Sequence, residues 1–408
     1  MKLQKNGILM LYLTLIAILL LQGVRAIAQE QKPKDVAKVT LTKIEWEKNF
    51  AKSNAVRRAN NGVAVHPGEL FAIGPPPGGS LAIARTFDVD HNPSNQLWIA
   101  QSNGKNAKLL ATQVGRRIME VQWSPDGKKL AYVTVEGQRD VDLHRDNYTR
   151  LSLVDVKTGH AIQIADNGAL SPQWTPDGNS LLFWKRKAGD NSWQPFKADH
   201  LVEGKPIIQA VSKLTWSQPG AFSHDGLQVI GLHGDVIVES LVTHEHHTLS
   251  LGPNAGGRLT LQKIGWSWDN QWIYIQLEVQ YFEGSENVSL ALRLSDNEML
   301  NLGQKMEPFV ELKKDEFTNV TGGTWIPGRD HRLFIGVITQ QFVNSTFPTT
   351  FKFVRRKWMI YDIDKNTAKE VDGIEPLHPL DRVITTRLSL NGRLLSIGNT
   401  LYSFDAPQ

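Results

Sequence analysis

Val121-Gln-Trp-Ser-Pro-Asp-Gly-Lys-Lys-Leu-Ala-Tyr132 returns, about fifty residues later, as Pro172-Gln-Trp-Thr-Pro-Asp-Gly-Asn-Ser-Leu-Leu-Phe183. Each copy ends a strand on an aromatic residue, reverses the chain through Ser/Thr-Pro-Asp-Gly, and resumes as an apolar strand. Pro presets φ, Asp hydrogen-bonds back into the turn, and Gly takes the positive φ that such a reversal needs. Ala221–Ile230 and Ile264–Tyr274 repeat the pattern, and Thr324–Phe334 and Arg387–Ser396 are weaker copies. Phe71–Ala82 is a degenerate first copy. A second hairpin follows within each unit, as in Leu151–Ile164, Gln96–Gly104 and Trp358–Asn366. Two hairpins per unit make one four-stranded antiparallel sheet.

The fold expected is therefore all-β: a β-propeller of four-stranded antiparallel blades, with seven blades preferred and six as the alternative. The last unit is one strand short after Phe404, and Val36–Ile44 alternates like a strand. Pairing the N- and C-terminal strands in one blade would close the ring and remove its open edges. Trp123, Trp174, Trp266 and Trp325 hold the same slot of their units, where large rings pack between neighbouring blades. No helical periodicity competes with this pattern.

At the N-terminus, Lys2 and Lys5 precede an apolar run from Ile8 to Leu21, and Ala26-Ile27-Ala28 supplies small residues for cleavage before Gln29. The expected division is a signal peptide over 1–28, a linker over 29–35 and a propeller over 36–408. The apolar run is shorter than the ~20 residues of a membrane span, so no span is expected after cleavage. The chain has no Cys, so neither a lipid-carrying Cys nor disulfides enter the argument. Location in the periplasm, or secretion, follows from the leader. With 45 basic and 41 acidic residues the charge is nearly balanced, and no basic block suits nucleic acid.

The Trp-Ser/Thr-Pro-Asp-Gly-x-x-Leu-x-Phe/Tyr phrase resembles the WD40-like (PD40-type) repeats of TolB-like propellers, and is similar to those in the propeller domains of prolyl-oligopeptidase-type peptidases. The resemblance covers most of the chain after residue 35, and it implies a fold rather than an activity. Compared with TolB, the chain is expected to lack the N-terminal α/β domain, and compared with the peptidases, the hydrolase domain. No Gly-x-Ser-x-Gly elbow occurs.

Strand order would place the Pro-Asp-Gly turns and second-hairpin turns on one face, and the irregular segments Thr86–Gln96, Glu136–Asn147, Lys185–Gln194, Gln280–Asn287 and Thr339–Lys357 on the other. Binding residues usually sit on such variable segments. Asp88, Asp90 and His91 in the first unit echo Asp140, Asp142 and His144 in the second. Such an oxygen-rich set with added imidazoles suits Ca²⁺ or a transition-metal ion. His244-Glu-His246-His247 is a second imidazole cluster. Phe347, Arg355, Arg356 and Trp358, with Trp184 and Trp193, combine aromatic and basic groups as protein-binding hot spots do, and could also stack on carbohydrate. The first expectation is an exported, non-enzymatic scaffold for a protein or peptide. The alternative is a metal-dependent polysaccharide lyase or hydrolase with Asp and His at the channel mouth.

Overall fold

The repeated turn folds the same way in five units. Ser124 Oγ donates to Asp126 Oδ1 (2.7 Å), which also accepts from Lys128 N, while Lys129 N donates to Ser124 Oγ. Thr175–Asp177, Ser223–Asp225, Ser267–Asp269 and Ser389–Asn391 repeat the hydroxyl-to-side-chain bond. Gly127, Gly178, Gly226 and Gly392 take φ near +70°, and Asn270 takes the same role at +59°. The side chains thereby satisfy the backbone groups a tight reversal leaves without strand partners. A computed structural model describes residues 36–404 except 54–55, 57–68, 76–78, 90–91, 137–148, 188–191, 202–205, 215, 217, 234, 250–257, 282–283, 329, 345–349 and 377–384.

β1 (Ala37–Ile44) leads into a helix, α1 (Trp46–Lys52). The first sheet holds β2 (Glu69–Ile73), β3 (Leu81–Val89), β4 (Asn92–Ala100) and β5 (Lys108–Gln113). The second holds β6 (Arg116–Trp123), β7 (Lys129–Glu136), β8 (Thr149–Asp155) and β9 (Ala161–Ala165). The third holds β10 (Ala169–Trp174), β11 (Leu181–Arg186), β12 (Trp193–Asp199) and β13 (Ile207–Ala210). The fourth holds β14 (Ala221–Phe222), β15 (Gln228–His233), β16 (Asp235–Ser240) and β17 (His246–Leu249). The fifth holds β18 (Arg258–Trp266), β19 (Trp272–Tyr281), β20 (Gly284–Arg293) and β21 (Met299–Asn301).

The remaining strands are β22 (Glu316–Trp325), β23 (Arg332–Asn344), β24 (Thr350–Asp362), β25 (Thr367–Asp372), β26 (Thr386–Leu388), β27 (Leu394–Ile397) and β28 (Thr400–Phe404). They form, with β1, one eight-stranded sheet in the order β22-β23-β24-β25-β1-β28-β27-β26. β1 is the junction. Ala37–Thr40 runs parallel to Lys369–Asp372 of β25, and Leu41–Ile44 runs antiparallel to Leu401–Phe404 of β28. The N-terminal strand thus supplies the fourth member of the last, three-stranded set.

Successive sheets pack face to face through apolar layers. Leu97, Ile118 and Tyr132 join the first sheet to the second, and Leu153, Trp174 and Phe183 the second to the third. Trp184, Phe222 and Val229 continue the series, as do Ile230, Trp266 and Ile275, then Tyr274, Val320 and Leu333. Phe334 and Trp358 pack on Leu395 and Tyr402, and Leu70 and Leu81 pack on Leu401 beside Trp46 of α1.

The slot tryptophans staple these layers. Trp174 Nε1 donates to Gln122 O, Trp266 Nε1 to Ala221 O (3.1 Å) and Trp325 Nε1 to Gly265 O (3.0 Å). Each indole therefore reaches the first strand of the preceding sheet. Trp123 instead lies over Gly74, where an added Cβ would sit 3.1 Å from its ring.

Two expectations need correction. Thr86–Gln96, Gln280–Asn287 and Thr339–Lys357 are mostly strand, because their hairpins extend the second and third strands of their sheets instead of looping out. Short helices also occur, at Trp46–Lys52 and Leu302–Met306, each burying a few apolar side chains without a long periodic stripe. Among the described residues no helix is long and apolar enough to cross a membrane.

Candidate ligand cavity and hairpin face

The first strand of each sheet carries the most unusual chemistry. β2, β6, β10, β18 and β22 each carry a register shift shortly before the slot residue: between Leu70 and Ala72, Ile118 and Glu120, Leu170 and Gln173, Leu261 and Lys263, and Thr321 and Thr324. A bulge bends its strand and turns side chains out of strict alternation. Ser171 and Gly322 hold positive φ within these bulges. β2, β6, β10 and β18, with β14 and β26, wall a central cavity of about 310 Å³, lined by Phe71, Glu120, Val121, Ser171, Gln173, Phe222, Ile264 and Arg387 among others.

Three charged groups stand in this inner layer. Glu120 Oε2 accepts from Ser171 N at 2.8 Å. Burial pushes its pKa up to about 7, opposed by that hydrogen bond. Lys263 Nζ reaches Thr324 Oγ1 (2.9 Å) on β22 and Thr386 Oγ1 (3.2 Å) on β26, tying three inner strands together. Burial and the nearby Arg387 cation bring its pKa down to about 7. Arg387 Nη1 donates to Leu70 O on β2, and burial lowers its pKa while Glu69 raises it. Each of the three is partly exposed, and Glu120 and Arg387 line the central cavity, whereas Lys263 sits beside it between Thr324 and Thr386.

Sequence reasoning passed over these residues, although their positions carry a signal. Glu120, Ser171 and Lys263 each stand three residues before the slot Trp of their units. Polar or charged groups three residues before the slot Trp, on the strand that lines the cavity, are the departure from pattern that would have marked it.

The expected binding residues part company. Trp184 is fully buried, T-stacked on Trp216 at 5.7 Å between the third and fourth sheets. Trp193 is buried opposite Trp216 through a bridge of backbone hydrogen bonds. Trp358 is buried and stacked on Phe334 at 5.0 Å. These three rings are core, since alternation on their strands turns them toward a neighbouring sheet and not to solvent. Arg355 is pinned by Glu316 Oε2 (3.1 Å) and the Glu311 carbonyl. The Arg356 guanidinium lies over the Phe353 ring at 5.9 Å. Phe347 lies outside the described residues.

Asp90, His91, Asp140, Asp142 and His144 also lie outside the described residues, as does the side chain of Asp88 on β3. His246 and His247 are exposed on β17, and His244 Nδ1 sits 3.7 Å from the buried Glu239. Among the described residues no three His, Asp or Glu groups are arranged to hold a metal ion.

The hairpin of β23 and β24 has the longest of the described strands, thirteen residues each. β22 flanks it on one side out to Gln341. On the other side, β25 pairs only with Trp358–Asp362, so Thr350–Lys357 of β24 forms an edge without a strand partner among the described residues. Lys352, Arg355, Arg356 and Lys357 lie along it.

Four-stranded antiparallel sheets, packed in series with their first strands around one cavity, define a β-propeller. In its repeats the chain resembles TolB-type propellers. No family model matches it. It is 33% identical over 100 residues to the Tol-Pal system protein TolB of Alcanivorax borkumensis, covering 24% of this chain and 21% of that protein. It is 28% identical over 109 residues to the uncharacterized peptidase YuxL of Bacillus subtilis, covering 25% of this chain and 16% of that one. The matches thus span about a fifth or less of those relatives. Among solved structures, it is similar to the β-propeller domain of the Trilobed protease from Pyrococcus furiosus, at 13% identity and TM-score 0.49, covering 85% of this chain and 95% of that one.

Proposed function

We propose that this chain is an exported, non-enzymatic propeller that captures an extended peptide segment of a protein partner along the open edge of β24. The observation that carries the reading is the strand edge Thr350–Lys357, which β25 leaves uncovered. Exposed edges present alternating N–H and C=O groups to a further strand, and recognition by strand addition uses them. Arg355 and Lys357 beside the edge are ion-paired with Glu316 and Glu370, and Lys352 and Arg356 favour an acidic peptide, which they would also steer toward it. Residues 1–28 act as the export leader and 29–35 as a linker, which places the propeller in the periplasm or outside the cell.

The scaffold behind this edge is a seven-bladed closed ring. In this reading the eight-stranded sheet is two blades joined at β1, and β1 with β26–β28 is the seventh. Apolar layers between every successive pair of sheets, including the Leu401 layer that joins the last to the first, support seven over six. A ring of fixed blades holds the β23–β24 hairpin in place.

A peptide library displayed on phage and selected on the purified propeller tests the reading. Selection should enrich acidic, extended sequences, and the double variant Lys352→Glu, Arg356→Glu should weaken their binding at least about tenfold. Enrichment of basic or helical sequences, or binding unchanged in the double variant, would refute it.

A further inference from the structure

The central cavity holds opposite charges that do not neutralise each other. Glu120 has one hydrogen bond among the described residues, from Ser171 N, which leaves its other oxygen free to accept. Among the described residues Arg387 donates once, to Leu70 O, of the five N–H groups it carries, and the Glu69 charge acts on it without an ion pair. Among the described residues no ion pair joins the two, although both line the same space. Lys263 adds a second basic group close enough to Arg387 to feel its field. Charged groups held in an interior without partners cost free energy, and a bound molecule of complementary charge removes that cost.

The rest of the lining narrows the ligand. Phe71, Val121, Phe222 and Ile264 give the cavity an apolar wall beside its polar groups. A volume of about 310 Å³ lies at the small end of ligand pockets. We propose that this cavity binds a small amino-carboxylate, its carboxylate on Arg387, its ammonium on Glu120 and its methylenes against Phe71, Val121 and Ile264. The bulge of β6 serves this site, because it sets Glu120 toward the cavity. The site is independent of the β24 edge, so either proposal can fail without the other.

A ladder of ω-amino acids measures the span between the two charges. Glycine, β-alanine, 4-aminobutyrate and 6-aminohexanoate would be titrated calorimetrically into the full chain, with butyrate and butylammonium as controls. One member should bind best, and the control lacking its ammonium or its carboxylate should bind at least about tenfold more weakly. Glu120→Gln, which keeps shape and hydrogen bonding, and Arg387→Gln should each reduce that affinity by a similar factor. Arg387→Lys retains the positive charge and should lose less, and a melting temperature that is not lowered would show that these losses are not unfolding. Absence of heat for every amino acid of the ladder at millimolar concentration would overturn the proposal. So would equal binding of butyrate, or affinity unaffected by Glu120→Gln.

Discussion

Glu120 and Lys263 each stand three residues before a tryptophan that packs one sheet on its neighbour, and that position makes ionised side chains costly. Burial pushes the Glu120 pKa from the ordinary 4.5 up to about 7, so the folded state holds its proton more tightly than the unfolded chain does. Its effect on stability is therefore absent below pH 4.5, grows as pH rises, and becomes a full penalty above pH 7. Glu120→Gln should leave the urea midpoint unchanged at pH 4 and stabilise the protein by on the order of 2 kcal/mol at pH 8. A destabilised variant at pH 8 would mean that the ionised carboxylate has a partner in the fold. Lys263 carries the opposite sign: its lowered pKa gives a penalty that is full below pH 7 and gone above pH 10.5. These charges were visible in the one-dimensional pattern only as polar interruptions. What turned them to the inner layer was the bulge beside each, which no spacing of residues announces.

The sheet-to-sheet staple belongs to the element scale. Trp266 is buried and its Nε1 donates to Ala221 O, so Trp266→Phe should cost about 1 kcal/mol for the lost hydrogen bond, and Trp266→Ala about 3–5 kcal/mol for the cavity. Chemical denaturation of the two variants separates the terms, and equal losses would show that the ring's volume contributes nothing beyond the hydrogen bond. The Pro-Asp-Gly turns are also joined to one another. His331 lies between Asp269 of the preceding sheet (2.6 Å) and Asp364 of its own (2.8 Å). Burial opposes protonation there, but hydrogen bonds to Asp364 and Asp269 and their charges outweigh it and raise the imidazole above its ordinary value. A raised pKa gives stability that is complete below pH 6.5 and lost as pH climbs through the folded value. Arg332, Asp330, Arg293 and Lys365 also surround these turns, yet among these groups His331 is the one that bridges the two sheets. His331→Gln should thus lower the melting temperature clearly at pH 5.5 and much less at pH 9, and an equal loss at both would exclude a charged bridge. Turns of this kind were legible residue by residue, because Ser, Asp and Gly act locally. The His331 bridge was not, since its two partners come from turns far apart in sequence.

At the scale of the whole molecule, β1 has the largest leverage. Its eight residues pair with β25 over Ala37–Thr40 and with β28 over Leu41–Ile44, and no other described strand pairs with both. Deleting residues 1–44 should therefore expose two strand edges at once, lower the melting temperature by more than any single core substitution, and promote association through the freed edges. Light scattering and thermal unfolding of the truncated chain check this, and unchanged stability would show that β1 is dispensable. The sequence by itself determined the recurring hairpin unit, its turn chemistry, the strand at Val36–Ile44 and the slot tryptophans, because each depends on neighbours a few residues away. Only the tertiary structure decided that Trp184, Trp193 and Trp358 face a core, that β24 leaves an edge open, and that Glu120, Arg387 and Lys263 gather in one inner layer. Those outcomes depend on which sheet lies beside which and on where a strand bulges, and both are set by packing between residues that the chain order keeps far apart.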